Sequence, residues 1–188
     1  MKTATILFLG LLLVAAPAFA AESYDIDNVH SSAIFKVQHL GAGFTYGRFN
    51  VLSGKFDYDE ADASKSSIEI NIKADSIDTN SKARDDHVKD AFFNTKQFPL
   101  ITFKSTKIEK TDKAGEFKVT GDLTLMGVTK SITITVAHTG AAEGPDKVFR
   151  RGFETRFSIK RSDYGMKTMI DKIGDDVELT IAIEGTKK

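Results

Sequence analysis

Along most of this chain apolar and polar residues alternate one for one, and no other feature constrains its fold as much. "SAIFKVQHL" sets Ala33, Phe35, Val37 and His39 on one face, with Lys36 and Gln38 opposite. "SIEINIKA" sets Ile68, Ile70, Ile72 and Ala74 against Glu69, Asn71 and Lys73. The same rhythm groups Phe117, Val119, Gly121, Leu123 and Leu125 in "EFKVTGDLTL", and Ile132, Ile134, Val136 and His138 in "VTKSITITVAH". It returns with Phe149, Phe153, Phe157 and Ile159 in "FRRGFETRFSIKR", and with Val177, Leu179, Ile181 and Ile183 in "DVELTIAIEG". A period of two means strands with one dry face and one wet face.

Two further runs are less regular. "GRFNVLSGKFDYD" changes phase near Ser53 and Gly54, which predicts a bulge or sharp bend there. "PLITFKSTKIEK", with Phe103 inside it, starts after Pro99, where a missing N–H costs a strand little. The total is eight strands, longer than the usual ~5–6 residues. Turns at "DEADASK", "KTDKAG", "LMGV" and "GAAEGPDK" make most neighbours hairpins. Such a set folds as a sandwich or as a closed barrel. Strand length, glycine breaks and consecutive hairpins favour closure, which also removes exposed edges. The inward list mixes Phe, Ile and Val with the smaller or polar Ala33, Ala74, Gly121 and Thr155, so the barrel can keep a lumen.

One stretch breaks the rhythm. "SIDTNSKARDDHVKDAFFNTKQF" is charged and helix-like, with Asp78 or Thr79 as candidate N-cap and about three turns ending on Phe92 and Phe93. This short helix falls between the third and fourth long strands. It can plug one barrel mouth with its phenylalanine pair, or serve as an ordinary crossing connection whose rings are core.

The ends and the composition narrow the setting. Residues 1–20 join Lys2, the run "ILFLGLLLVAA" and the exit "AFA", the pattern of a cleaved secretory signal peptide rather than a membrane span. Residues 21–188 are expected to form one domain, placed in the periplasm. The chain has no cysteine, which excludes disulfides, thiol catalysis and a cysteine-based zinc site. With 26 basic and 26 acidic residues, nothing points to nucleic acid as a partner.

The segments "VHSSAIFKVQHLG", "ARDDHVKDAFFNTKQFPLITFKST", "VTGDLTLMGVTKSITITV", "RRGFETRFSIKRSDYG" and "GDDVELTIAIEG" resemble, in order and spacing, the YceI-like family of bacterial polyisoprenoid-binding proteins. The resemblance runs from Tyr24 to Gly185, and His87 to Asn94 carries its most specific part. Tyr24 stands where relatives usually have Trp. The resemblance implies an all-β, eight-stranded antiparallel lipocalin-like β-barrel that holds a long isoprenoid lipid or quinone-like ligand, often as a homodimer. It implies transport, storage, sequestration or a stress response, with no catalysis and no other cofactor. The expected ligand wall combines that reading with the alternation: Phe35, Val37, His39, Ile70, Ile72, Phe92, Phe93, Phe103, Leu123, Ile134, Phe153, Phe157, Arg161, Leu179 and Ile181.

The chemistry-bearing residues offer little else. His30, His39, His87 and His138 lack metal-ligand spacing, so a metal site would need distant strands to converge. There is no G-x-S-x-G. "RDDH" at 84–87 reads as an ion pair or cap more readily than as an acid–base group. His39 and His138 point inward, either as hydrogen-bonded core or toward the polar end of a lipid. Arg161 ends an apolar face and is expected to pair with Asp86, Asp90 or Asp163, or to meet a ligand head group. "KVFRRG" reads as a solvated hairpin. The competing function is a small periplasmic enzyme acting on a lipid or stress metabolite through His39, His87 or Asp86.

Overall fold

The alternating runs meet edge to edge in the computed structural model, which describes residues 21–188; the expected signal peptide lies outside the described residues. The first three staves of the barrel are each broken in two: β1 (Glu22–Ile26) with β2 (Ser32–His39), β3 (Gly43–Phe49) with β4 (Leu52–Tyr58), and β5 (Ser67–Lys73) with β6 (Ile77–Asp78). Helix α1 (Lys82–Ala91) follows. Then come five unbroken staves: β7 (Leu100–Lys110), β8 (Glu116–Leu125), β9 (Val128–Glu143), β10 (Phe149–Lys160) and β11 (Ile173–Lys187). The result is a closed eight-stranded antiparallel β-barrel with one short helix between its third and fourth staves, as the alternation predicts.

Closure is uneven along the axis. At one end the ladder runs β1–β4–β5–β7–β8–β9–β10–β11 and returns to β1, with Tyr24 opposite Lys187. At the other end β11 pairs with β2, β2 with β3, and β3 with β6 through only Arg48–Asp78 and Phe49–Ile77. No ladder joins β6 to β7 there, and the segment carrying α1 fills the interval. We refer to these as the sealed end and the open end.

The dry faces match the alternation. In β8 Phe117, Val119, Gly121, Leu123 and Leu125 are all buried, while the residues between them are not. A Cβ on Gly121 would lie 2.5 Å from the Phe103 ring, so glycine makes room for that ring inside the wall. The phase change in the second stave lies at Asn50–Val51, not at Ser53–Gly54: Phe49 and then Leu52 and Phe56 are buried. Gly54 has another role. Its φ is +146°, and a Cβ there would lie 2.0 Å from the Glu69 carbonyl, so only glycine permits this close approach to β5.

Helix α1 differs from its expected start. Ser81 is the N-cap, and neither Asp78 nor Thr79 takes that place. The side chain of Asp85 accepts from the Thr79 backbone N–H and hydroxyl at 2.8 and 2.6 Å, tying the first turn to the preceding loop. The chain then folds back through Phe92, whose N–H reaches the Val88 carbonyl.

Candidate ligand-binding cavity

Two packed regions divide the barrel interior. Toward the sealed end Tyr24, Phe56, Phe117, Phe153 and Ile183 fill the lumen, with the Tyr24 and Phe56 rings stacked at 4.7 Å. Toward the open end the walls separate around a cavity of about 450 Å³, within the ~300–1,000 Å³ of small-molecule pockets. Its lining is overwhelmingly apolar, and all fifteen expected wall residues, from Phe35 on β2 to Ile181 on β11, face it.

Phe92 and Phe93 close its side. Phe92 packs with Leu123, Leu125, Tyr164 and Met166, and Phe93 meets Phe49 edge-on at 5.6 Å. The pair is therefore both core and cavity wall.

Arg161 differs from expectation. It is 2 % exposed and pairs with none of Asp86, Asp90 or Asp163. Those acids sit beside Lys82, Lys96 and Lys130. The guanidinium instead donates to four carbonyls: Nε to Gly174, Nη1 to Met166 and Thr168, and Nη2 to Ile173, all at 2.8–2.9 Å. Burial pulls its pKa below the usual arginine value. Arg161 thus shapes the 166–173 loop from beneath, a partner that residue charge alone could not reveal. Met166, Met169 and Ile173 of this loop also line the cavity, and the strand-based reading omitted them. Their spacing, three and four residues apart, was the available signal.

Both histidines that line the cavity, and one of its arginines, lie at the mouth. His39, Arg84 and His87 border the cavity there, with His87 edge-on to Phe92 at 5.7 Å. Arg84 donates through Nε to the Thr79 hydroxyl at 2.8 Å, so "RDDH" forms loop ties rather than an acid–base group. Asp86 is held by Lys82.

His138 points inward but not into the cavity. It lies in the sealed end, stacked on Tyr58 and 5.2 Å from the Phe153 ring. Its Nε2 accepts from Arg151 at 3.3 Å. Burial pushes its pKa below the ordinary imidazole value, and the neighbouring guanidinium adds to the shift. Arg151 corrects the solvated-hairpin reading of "KVFRRG". It is 8 % exposed, donates Nε to the Tyr24 hydroxyl at 3.2 Å, and lies 4.2 Å from the centre of the Tyr58 ring. Lys147 faces outward to Glu143, and Arg150 to Asp146 and Glu184.

One set of distant residues does converge. Asp27, His30 and Glu184 bring their ligand atoms within 4.8 Å of one another. The site is exposed at His30, whose Nδ1 lies 2.7 Å from Asp27, and Arg150 already occupies Glu184 at 3.4 Å. A cation nearby disfavours a metal ion, and the group reads as an ion-pair network.

A closed eight-stranded barrel with an apolar internal cavity and a helix-flanked mouth defines a lipocalin-like class of protein. Within it, the chain belongs to the YceI-like family: the YceI-like domain model matches residues 24–185. A UPF0312 protein of Shewanella denitrificans is 40% identical over 186 residues, covering 96% of this chain and 95% of that one. Protein YceI of Escherichia coli O157:H7 is 36% identical over 183 residues, with the same two coverages of 96% and 95%. Among solved structures, a Campylobacter jejuni YceI protein aligns with a TM-score of 0.71 at 34% identity, over 80% of this chain and 90% of that one. A polyisoprenoid binding domain from Saccharophagus degradans shares the fold at 18% identity, TM-score 0.67, over 89% of this chain and 99% of that one. No helix among the described residues is long and apolar enough to cross a membrane.

Proposed function

We propose that this protein holds a polyisoprenoid, or a similar long-chain amphiphile such as an isoprenoid quinone, with its tail in the barrel cavity and its head at the mouth. The observation that carries the reading is the contrast between an overwhelmingly apolar lumen and the ionisable side chains of His39, Arg84 and His87 at its opening, with Thr45, Thr79, Thr102, Glu154, Thr155 and Arg161 as the remaining polar lining. The family and the Saccharophagus neighbour support the ligand class. Burying ~20 carbons at ~0.8 kcal/mol per methylene gives a gross ~16 kcal/mol, near the ceiling for non-covalent affinity. Ordering the tail offsets much of that. The tail therefore supplies the affinity, and the mouth residues orient the head. Such a protein serves transport, storage or sequestration of lipid in the periplasm, without catalysis. Mass spectrometry of lipid extracted from protein purified from the periplasm tests the reading. An isoprenoid chain should co-purify; a barrel that is empty and also refuses added isoprenoid alcohols and quinones overturns it.

A further inference from the structure

The two ends of the barrel differ in what they show to water. Sealed-end turns are polar, as in "DEADASK" and "KTDKAG". The open end presents Leu40, Phe44, Tyr46, Met169 and Ile170, exposed by 59%, 55%, 60%, 41% and 43%. Single exposed apolar residues need no explanation, but a group around one opening does.

These residues belong to one bonded rim. The Leu40 N–H donates to the Lys172 carbonyl at 2.7 Å, which joins the β2–β3 tip to the 166–173 loop. The Thr168 hydroxyl donates to the Ala91 carbonyl at 2.7 Å, which joins that loop to the end of α1. Beneath it, Arg161 fixes the loop through its four carbonyls. The rim is continuous with the cavity, because His39, Met169 and Ile173 also line it.

Two backbone positions make the apolar choice informative. Leu40 has φ of +52° and Met169 of +50°. Asn or Gly adopts this left-handed region at lower cost than a large apolar residue. Turn chemistry alone would not place Leu and Met there, exposed, on adjacent loops.

Charge selects the partner. The segment from His39 to Tyr46 carries no carboxylate, and the 166–173 loop carries Lys167 and Lys172 against Asp171. Ion pairs around the mouth engage Lys36 with Glu178, Lys130 with Asp163 and Lys160 with Asp176; Lys167 and Lys172 take part in none of them. Apolar tips, aromatic rings two residues apart on the outer face of β3, and free lysines match a bilayer surface bearing anionic head groups.

We propose that the open-end rim docks on an anionic lipid bilayer, so that a lipid passes between membrane and cavity without crossing water. The role in lipid transfer rests on the proposed function; the docking itself does not. Leu40, Met169 and Ile170 enter the interface, Phe44 and Tyr46 follow at head-group depth, and Lys167 and Lys172 meet the lipid phosphates.

Co-sedimentation with vesicles containing no isoprenoid separates this proposal from the cargo reading. The protein should pellet with phosphatidylglycerol–phosphatidylcholine vesicles and much less with pure phosphatidylcholine. Leu40→Asp with Ile170→Asp should weaken partition about ten-fold or more. Lys167→Glu with Lys172→Glu should remove its salt-sensitive part. Leu40→Asn with Met169→Asn keeps the test independent of folding: it should melt no lower than the parent, because Asn accepts φ above zero, and still lose vesicle binding. Absence of binding to either vesicle overturns the proposal, as does binding that every variant retains. A concentration-dependent dimer abolished by the same substitutions, with no vesicle binding, assigns the rim to a second copy and also overturns it.

Discussion

The sealed end and the open end are built from the same eight staves, yet they handle buried cations differently. At the sealed end Arg151 meets side chains: Tyr24, His138, Glu22 at 3.4 Å and the ring of Tyr58. Rings and guanidinium pack together, and no comparable cavity remains. At the open end Arg161 gives its hydrogen bonds to backbone carbonyls alone, with the Phe92 ring centre 5.6 Å from its guanidinium, and the cavity lies beside it. A cation satisfied by side chains consumes the lumen, whereas one satisfied by a loop holds the lumen open. Stability resides chiefly at one end and, on the proposed function, ligand exchange at the other.

The largest expected effect comes from Tyr24→Ala. Tyr24 is 0% exposed, stacked on Phe56 and bonded to Arg151, so its loss should cost about 3–5 kcal/mol in urea unfolding. The protein that remains folded should release bound isoprenoid at the parental rate. A faster release would break the division between the ends.

Phe93→Ala should show the reverse. Phe93 is only half-buried, and its removal should cost roughly 1–3 kcal/mol. Because the ring closes the interval between β6 and β7, the lipid off-rate should rise by more than this stability loss accounts for. Thermal melting and off-rate on one preparation decide the matter, and an unchanged off-rate would leave Phe93 as core alone.

The smallest effect concerns acid. The folded-state pKa of His138 is depressed, so between it and the ordinary ~6.5 the unfolded chain binds a proton that the native protein does not. Stability is therefore full above ~6.5 and falls as pH drops below it, with a second cation placed against Arg151. His30 acts in the opposite sense: Asp27 raises its pKa, so its contribution is present below ~6.5 and is lost as pH rises through the raised value. His138→Gln should flatten the loss of urea stability as pH falls below about 6.5. An identical slope in parent and variant would separate the sealed end from acid sensitivity.

The barrel was readable because each stave keeps one dry face, and that face also names the cavity wall. Arg151 was readable in the same way: it shares parity with Phe149, Phe153 and Thr155 on β10, and its charge diverted the reading. β1 was not, because five residues, ESYDI, carry too little pattern and its place depends on pairing with Lys55–Tyr58 and Gly185–Lys187. The mouth was least legible. Its loops have no period, and Arg161 finds its carbonyls only after the 166–173 segment folds over it.

The seam between β1 and β11 has a consequence for how the molecule forms. It pairs Ile26 with Gly185 and Tyr24 with Lys187, so the ring is completed by two of the most widely separated segments of the described chain. Until the final strand is available, β1 and β10 each present an unpaired edge, the kind of surface on which chains associate wrongly. The entropy of that long loop falls due in one late step, so assembly should be slow and all-or-none, its rate set by a search between the chain's extremities.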